Sequence, residues 1–476
     1  MECKKYIAVD MGAESGRVML GSVADGKLEL HEMHRFATGA TPGADGLHWD
    51  FERLFSEIKT GIKKAAASAG GNVESIAVDS WGVDYGMLDK DGNLIYDPFH
   101  YRDSRNNGMV EKVAALIGGK RAIYDNTGIQ FMQINTIYQL YATKLANPKF
   151  FEKCSNIVMI ADLVAYKLCG RAFCEYTLAS TSQAMDMNTG NWSKPLFDAV
   201  GINCDNMAEI VAPGTVVGKL TASMADELGC GRINIVAAGS HDTASAVAAV
   251  PVTGRDGWAY LSCGTWSLLG MEIPKAIIND QTYAGDFTNE GGVYGTIRLL
   301  KNIMGLWLLQ ECRRCWAKEG QEYDYSQLTE MAMKSTAPGF KLNPDYPGFL
   351  APENMPREIN KHLRESGHKE ITDKGQMVRL ILESLADKYK AVLEQLESIT
   401  GTTVKTLHLV GGGIKNEVLC RLTAKATGRK VVAGPVEATA SGNILIQAIA
   451  SGQVADLAAA RKIVADSFEL KTYMPD

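Results

Sequence analysis

The sequence predicts an α/β protein built from two halves, and three observations indicate this class. Strand-like and helix-like patterns alternate from end to end, which is typical of a mixed α/β architecture. The chain has 476 residues, 46% of them hydrophobic, which is enough for two sizeable cores. AVDMGAES at residues 8–15 and YLSCGTWS at residues 260–267 both read as a strand followed by Gly-x-x-Ser. This internal echo favours two halves, although so short a match also arises by chance.

The first quarter of the chain predicts strands joined by tight turns. YIAVDMG alternates, and a later Asp25-Gly26 pair separates two strand-like runs, which predicts a hairpin. Residues 73–98 repeat the pattern, with a turn at Asp91-Gly92. Acidic and amide residues there are spaced as in a calcium loop, but the glycine comes too early and no glutamate closes the loop. We therefore predict a plain hairpin turn.

The last hundred residues predict alternating helices and strands. Apolar residues recur every three or four positions through residues 375–399, and Gly401 follows as a stop, which predicts a long amphipathic helix. A strand is predicted in VKTLHLVGGG, then a helix from about Asn416, a strand in GRKVVAG and a last helix in ATASGNILIQAIASG.

Bulk properties exclude several classes of function. The 49 basic and 55 acidic residues give a net charge of −6 without a basic block, so we expect no nucleic-acid partner. MECKKYIAVD passes directly into a strand, so no signal peptide is expected, and no apolar stretch is long enough to predict a membrane span. The ten cysteines are scattered, with Cys312 and Cys315 the only CxxC pair. We expect reduced thiols in a cytoplasmic protein.

Three glycine-containing turns follow apolar strands, at Gly12–Arg17, Cys263–Ser267 and Gly411–Gly413. Glycine lets backbone N–H groups approach phosphate oxygens closely. The chain has no P-loop signature, and its first turn does not have the Gly-x-Gly-x-x-Gly spacing of dinucleotide sites. One such turn is ordinary, but three together favour a nucleotide held between two halves.

His241 and Asp242 interrupt the small, apolar run VAAGSHDTASAVAAV, which we expect to be buried at a strand-to-helix junction. Charged groups are seldom buried without a partner or a task. Asp242 is predicted to cap the helix with help from Thr243, which is compatible with catalysis. Ser240, His241 and Asp242 are not expected to form a hydrolase triad, because consecutive side chains point in different directions.

Together these segments resemble the FGGY carbohydrate kinase family, within the actin-like ATPase superfamily. The resemblance runs to about residue 447 and rests on AVDMGAESGRVML, DSWGVDY, YRDSRNNGM, GIQFMQINTIYQL, GSHDTASAV, LSCGTWSL, NEGG, LKNIMGLWLLQ, LVGGGIKN and GPVEATASGNI. It implies two ribonuclease-H-like domains with a deep interdomain cleft: a sugar-binding domain at residues 1–245 and an ATP-binding domain at residues 246–476. YRDSRN and LKNIMGLWLLQ are similar to the branch that phosphorylates L-rhamnulose at O1 with ATP and Mg2+ in L-rhamnose catabolism. We expect a monomer or homodimer.

The resemblance also implies residue roles. Asp242 corresponds to the catalytic base, which accepts the proton of the sugar hydroxyl. The sugar-binding positions are Gly82, His241, Asp242, Thr243 and Asn302. The nucleotide-binding positions are Ala13, Glu14, Ser15, Gly16, Arg17, Thr265, Gln310 and Gly412. Asp10 is placed to hold Mg2+, directly or through water.

Simpler structural roles remain open for several of these positions. Asn302 and Gln310 are eight apart on a helical pattern and so share a face, where one can be a polar core contact. Gly82 can simply shape a bend, and Asp10 can satisfy backbone amides at its own turn. Glu14 departs from the small hydroxylated residue common in the family. We expect its side chain to face solvent while backbone N–H groups bind phosphate, or else Arg17 to pair with it.

Three alternative functions remain open. A second FGGY kinase would act on L-fuculose, L-ribulose or xylulose, although DSWGVDY and LKNIMGLW favour L-rhamnulose. A non-catalytic sugar or nucleotide sensor would not need Asp242, Asp10 and both phosphate turns. A hydride-transfer enzyme is disfavoured because the dinucleotide spacing is missing.

Overall fold

A computed structural model of the chain describes residues 3–252, 254 and 257–475. The chain divides into two compact units. Unit 1 contains Met1–Thr253, Glu272–Leu299 and Ala438–Ser467, and unit 2 contains Gly254–Met271, Leu300–Glu437 and Phe468–Asp476. The domain boundary expected at residues 245 and 246 stays a prediction.

The strands in chain order are β1 Lys4–Met11, β2 Ser15–Ala24, β3 Lys27–Ala37, β4 Ala40–Pro42, β5 Leu47–Trp49, β6 Ser75–Ser80, β7 Tyr85–Asp89, β8 Cys154–Met159, β9 Cys174–Glu175, β10 Met185–Asp186, β11 Asn191–Trp192, β12 Ile210–Val211, β13 Thr215–Lys219, β14 Asn234–Ala237, β15 Trp258–Cys263, β16 Trp266–Ile273, β17 Thr288–Gly291, β18 Ile297–Met304, β19 Thr406–Val410, β20 Lys430–Ala433 and β21 Lys471–Tyr473.

The α-helices in chain order are α1 Phe51–Ser68, α2 Met109–Leu116, α3 Lys120–Thr127, α4 Thr136–Ala146, α5 Lys149–Lys153, α6 Ile160–Cys169, α7 Tyr176–Ala179, α8 Lys194–Val200, α9 Ala222–Leu228, α10 Asp242–Ala248, α11 Asp280–Ala284, α12 Trp307–Lys318, α13 Tyr325–Lys334, α14 Met355–Glu365, α15 Lys374–Thr400, α16 Glu417–Thr427, α17 Ala438–Ala450 and α18 Leu457–Ser467.

The two large sheets share one strand order. In unit 1 the order is β3–β2–β1–β6–β14–β13, and six strands of the second sheet follow as β18–β16–β15–β19–β20–β21. Each central strand, β1 or β15, pairs antiparallel with the next strand in sequence and parallel with β6 or β19. The edge pairs β13–β14 and β20–β21 are both antiparallel. The echo between residues 8–15 and 260–267 therefore marks equivalent hairpins, and the predicted α/β class in two halves is confirmed.

The predicted turns of the first quarter are present. Asp25, with a φ of 49°, lies in the turn between β2 and β3. At the second turn, Asp89 N–H donates to the Asn93 carbonyl at 2.9 Å, and Leu88 bridges Leu94 in antiparallel fashion. The Asp89 carboxylate accepts the N–H groups of Asp91 and Asn93 at 2.9 and 2.8 Å. The turn therefore uses this carboxylate for its own closure.

The predicted C-terminal elements are found, with one error. Helix α15 ends at Gly401 in the left-handed conformation, and α16 is capped by the Asn416 side chain. The helix over residues 438–450 is not the last, because α18 and β21 follow it. Helix α18 packs against β3, α10 and α17, and an ion pair between Arg461 and Glu272 at 3.0 Å helps to hold it there. Among the described residues, no helix has both the length and the apolar character needed to cross a membrane.

Candidate functional site

The β1–β2 turn presents backbone donors without protein acceptors. Gly12 N–H donates to the Ser15 carbonyl at 3.0 Å, and the Thr38 hydroxyl donates to the Gly12 carbonyl at 2.8 Å. Within the described part of the chain, the N–H groups of Ala13 and Glu14 donate to no protein acceptor, and the Glu14 side chain is exposed. A turn with two adjacent, unengaged N–H groups can bind an anion such as a phosphate oxygen.

Behind this turn, Arg17 and Asp10 lie opposite each other on the antiparallel strands and form an ion pair. Arg17 therefore pairs with Asp10. One of the two expectations for Glu14 was that Arg17 would pair with it. Gly16 is required for packing, because a Cβ there would overlap the ring of Phe36.

Asp79 lies beside Asp10 on the parallel strand β6. It is fully buried, and its Oδ2 accepts a hydrogen bond from Asn443 Nδ2 at 2.6 Å. Burial, and then the nearby charge of Asp10, raise the pKa of Asp79 well above its usual value. Its Oδ1 is buried without a hydrogen-bond partner among the described residues. Two adjacent carboxyl groups with one unsatisfied oxygen fit the way proteins hold Mg2+, which uses one or two carboxylates and retains water.

Asp79 was not predicted as a site residue, although the sequence contains a signal for it. Asp79 follows the apolar run of β6 as Asp10 follows that of β1, and parallel pairing then sets the two aspartates side by side. Within the described ranges, no group of three or more His, Cys, Asp or Glu residues is arranged to hold a metal ion by itself.

Gly82 lies in a turn that its neighbours hold in place. A Cβ on Gly82 would lie 3.1 Å from Thr181 Oγ1, and the same hydroxyl accepts Val83 N–H at 3.2 Å. Asp84 is buried and accepts the indole N–H groups of Trp49 and Trp81 at 2.6 and 2.9 Å.

Burial raises the pKa of Asp84 to about 6, in opposition to its hydrogen bonds from Gln139, Trp49 and Trp81. The two indoles stack with ring centroids 4.0 Å apart. The turn is therefore tied to a buried polar centre with an aromatic wall.

Asp242, at the start of α10, is more exposed than its neighbours in the chain. All other residues of the run 236–250 are buried as expected, whereas the Asp242 side chain is 32% exposed. The predicted cap is wrong by one position: His241 is the N-cap and Asp242 the first helical residue. Asp242 Oδ1 accepts Thr243 N–H at 2.5 Å and lies 3.1 Å from the Thr243 hydroxyl, so Thr243 fixes the carboxylate instead of helping it to cap the helix. The arrangement presents one oriented carboxylate to incoming ligand.

The segment before Asp242 is anchored by buried carboxyl groups. Ser240 N–H donates to Glu175 Oε2 at 3.0 Å, and the Ser240 hydroxyl lies beside the Asp162 carboxyl. His241 Nε2 is 3.3 Å from Asp242 Oδ1, so these consecutive side chains do meet, contrary to the expectation. In the described structure the His241 ring forms its hydrogen bond with Arg298 and none with the Ser240 hydroxyl, so these three residues do not form a hydrolase triad.

In unit 2, the β15–β16 turn is one residue shorter than the β1–β2 turn, and it also begins with a glycine N–H that donates across the turn. Gly264 N–H donates to the Trp266 carbonyl at 2.9 Å, and the Thr265 carbonyl accepts Trp307 N–H at 3.1 Å. In the described structure, Thr265 N–H donates to no protein acceptor. This turn therefore also offers a backbone donor to an anion.

The loop Gly411–Gly413 packs on the same strand end as the Thr265 turn. Gly411 has a φ of 88°, and a Cβ on Gly413 would overlap Cys263 Sγ. Side chains at these two positions would push the loop away from β15. A Cβ on Gly412 would meet nothing within 4 Å, so Gly412 borders open space. The structure thus brings Thr265 and Gly412 into one neighbourhood of unit 2.

Asn302 and Gln310 do not share a helix face. Asn302 lies on strand β18 and Gln310 on helix α12, because the chain turns at Gly305. A Cβ on Gly305 would lie 2.6 Å from Ser267 Oγ, so this close approach requires glycine. The Gln310 Oε1 atom is buried without a hydrogen-bond partner among the described residues.

Known proteins of one family match nearly the whole length of this chain. The model of the N-terminal domain of the FGGY family of carbohydrate kinases matches residues 5–249, and that of the C-terminal domain matches residues 259–451. A protein named Rhamnulokinase from Bacteroides thetaiotaomicron is 41% identical over 99% of this chain and 96% of its own length. A Rhamnulokinase from Bacillus subtilis is 38% identical over 99% of this chain and 95% of its own length.

Solved structures share the fold. Gluconate kinase from Lactobacillus acidophilus superposes with a TM-score of 0.80 at 17% identity, covering 100% of this chain and 94% of that one. Glycerol kinase from Plasmodium falciparum superposes with a TM-score of 0.77 at 16% identity, covering 98% and 93%. From the family-model matches and the near-full-length relatives, this chain belongs to the FGGY family of carbohydrate kinases.

Proposed function

We propose that this protein transfers the γ-phosphoryl group of ATP to O1 of L-rhamnulose, giving L-rhamnulose 1-phosphate and ADP. The observation that carries the proposal is Asp242, the one partly exposed residue in a buried segment, held by Thr243. The two near-full-length relatives named Rhamnulokinase support the choice of sugar.

Asp242 would act as the general base. A sugar hydroxyl is a poor nucleophile, so a carboxylate within hydrogen-bond reach must orient it and accept its proton as the phosphoryl group transfers. Thr243 N–H and Oγ1 hold one carboxylate oxygen, which leaves Oδ2 for the substrate. We propose Gly82, His241, Thr243 and Asn302 as further sugar contacts.

The nucleotide would be held largely by backbone groups. The unengaged N–H groups of Ala13, Glu14 and Thr265 suit phosphate oxygens. We propose the remaining nucleotide contacts at Ser15, Gly16, Arg17, Gln310 and Gly412. The buried Oε1 of Gln310 would gain a partner when the nucleotide binds.

Asp10 and Asp79 would hold Mg2+, directly or through water. The orphaned Oδ1 of Asp79 is the observation that fits a cation here. When bound, the ion would neutralise phosphate charge. We further propose that the protein acts in the cytoplasm, since all ten cysteines are free thiols. We also propose that it is a monomer or homodimer.

The substrate is tested by ADP release across a panel of ketoses and aldoses that includes L-rhamnulose, L-fuculose, L-ribulose and xylulose. We expect the highest kcat/KM for L-rhamnulose. A clear preference for another ketose would reassign the substrate within the family, and no turnover with any sugar would favour a sensor.

The base is tested with Asp242→Asn. We expect kcat to fall about 10²- to 10⁴-fold, the usual contribution of a general base, while calorimetry still detects sugar binding. Asp226→Asn, an exposed position on α9, is the matched control and should keep wild-type turnover. Turnover of Asp242→Asn within a few-fold of wild type would remove Asp242 from this role.

A further inference from the structure

A buried ion pair lies directly behind His241 in unit 1. Glu290 on β17 is 4% exposed and Arg298 on β18 is 0% exposed. Arg298 Nη2 is 3.1 Å from Glu290 Oε2, and Arg298 Nε donates to the Gly291 carbonyl at 2.9 Å. Burying two charges is costly even when they are paired, so their position beside the proposed site calls for a reason.

The contact with His241 has a chemical consequence. Arg298 Nη2 is 3.0 Å from His241 Nδ1, and a guanidinium can only donate hydrogen bonds. Nδ1 must therefore accept, and in the neutral imidazole the proton then lies on Nε2. His241 Nε2 is the atom 3.3 Å from Asp242 Oδ1. The ring thus carries its N–H on the nitrogen that lies nearer the Asp242 carboxylate.

In the opposite tautomer, with the proton on Nδ1, the ring would have an acceptor but would also bring two hydrogen-bond donors together. Glu290 Oε2 is 3.3 Å from His241 Nδ1 and could accept a proton carried there. That proton would face an Arg298 N–H across 3.0 Å, two donors against each other. Glu290 Oε2 is also 3.1 Å from Arg298 Nη2. Arg298 is therefore the group that decides between the tautomers.

We infer that Arg298 is a positioning residue that fixes His241 as the Nε2–H tautomer and thereby makes it a hydrogen-bond donor for the substrate, next to Asp242. The tautomer follows from the contacts alone. Its catalytic meaning rests on the proposed function: a donor at Nε2, 3.3 Å from Asp242 Oδ1, can recognise an acceptor oxygen of the sugar beside the proposed base.

The first test is the tautomer itself, measured on the full-length protein without sugar or nucleotide. Nitrogen-15 labelled histidine gives separate signals for protonated and unprotonated ring nitrogens. The His241 signals are identified by their loss in His241→Asn. We expect a protonated Nε2 and an unprotonated Nδ1. A protonated Nδ1 in the wild-type protein would overturn the inference whether or not the protein phosphorylates L-rhamnulose.

The second test changes Arg298. In Arg298→Met we expect Nδ1–H to appear, donating to Glu290, and kcat to fall up to about 100-fold, the scale of a misplaced catalytic contact. Arg298→Lys retains a donor and should keep the Nε2–H tautomer, which also covers the case in which Arg298→Met does not fold. Loss of the Nε2–H tautomer in Arg298→Lys would contradict the assignment.

Arg461→Met is the matched control, because it removes another buried arginine paired with a carboxylate, Glu272. It should leave the His241 tautomer unchanged. An unchanged tautomer in folded Arg298→Met, or the same change in Arg461→Met, would overturn the role of Arg298.

Discussion

We expect Glu175 to lower the free energy of unfolding of the wild-type protein as pH rises to 7. Replacing Glu175 by glutamine should remove this fall. Glu175 is fully buried and caps α7. Its Oε2 accepts N–H groups of Thr177, Leu178 and Ser240 at 2.9, 3.2 and 3.0 Å, and the Thr177 hydroxyl at 2.5 Å. Its Oε1 accepts no hydrogen bond among the described residues. Glutamine can keep the accepting oxygen and place its amide at Oε1.

The sign and size of this stability change follow from the pKa of Glu175. Burial raises the pKa of Glu175 from 4.5 to about 7. Between these values the folded state holds a proton that the unfolded state has lost, so stability falls as pH rises through this window and levels off above about pH 7. At about 1.4 kcal/mol per pH unit, the loss is about 3 kcal/mol. For a unit this large it amounts to on the order of 5 °C in Tm.

The assay is differential scanning calorimetry of wild type and Glu175→Gln from pH 4.5 to 8. The Tm of the variant relative to wild type should rise across this range, while its kcat stays within a few-fold because the Ser240 anchor is kept. Glu111→Gln, with a side chain 69% exposed, is the control and should follow wild type at every pH. A constant difference, or one that grows towards low pH, would refute the buried, proton-holding carboxyl.

Two further substitutions probe the turn and the helix packing. Glu14→Ser should change the KM for ATP less than about 2-fold, because an exposed charge interacts weakly through water; a large fall in KM would show that the carboxylate faces the nucleotide. Gly442→Ala should cost about 1–3 kcal/mol and lower kcat, because the new Cβ would overlap the Ser245 carbonyl and displace α10. Gly231→Ala, where an added Cβ meets nothing within 4 Å, should leave Tm unchanged, and an equal loss in both variants would contradict the packing explanation.

Local sequence determined the elements and the turns. Alternation predicted β1 and β19, three-to-four periodicity predicted α15, and the Asp25-Gly26 pair predicted the first hairpin. These signals depend on residues close in the chain, so a single sequence carries them. Helix α18 was not predicted, although Leu457, Ala460 and Val464 repeat at helical spacing.

For the candidate site too, some features were predicted by the sequence and others were decided only by the tertiary structure. The sequence alone singled out Asp242 and the glycine turns, because a charged residue in an apolar run and glycines after strands are visible in one dimension. Only the tertiary structure placed Asp79 beside Asp10 and Arg298 behind His241, and it separated Asn302 from Gln310. Strand pairing and burial decide those relations. Both join residues distant in the chain, and burial in turn raises the pKa of groups such as Glu175.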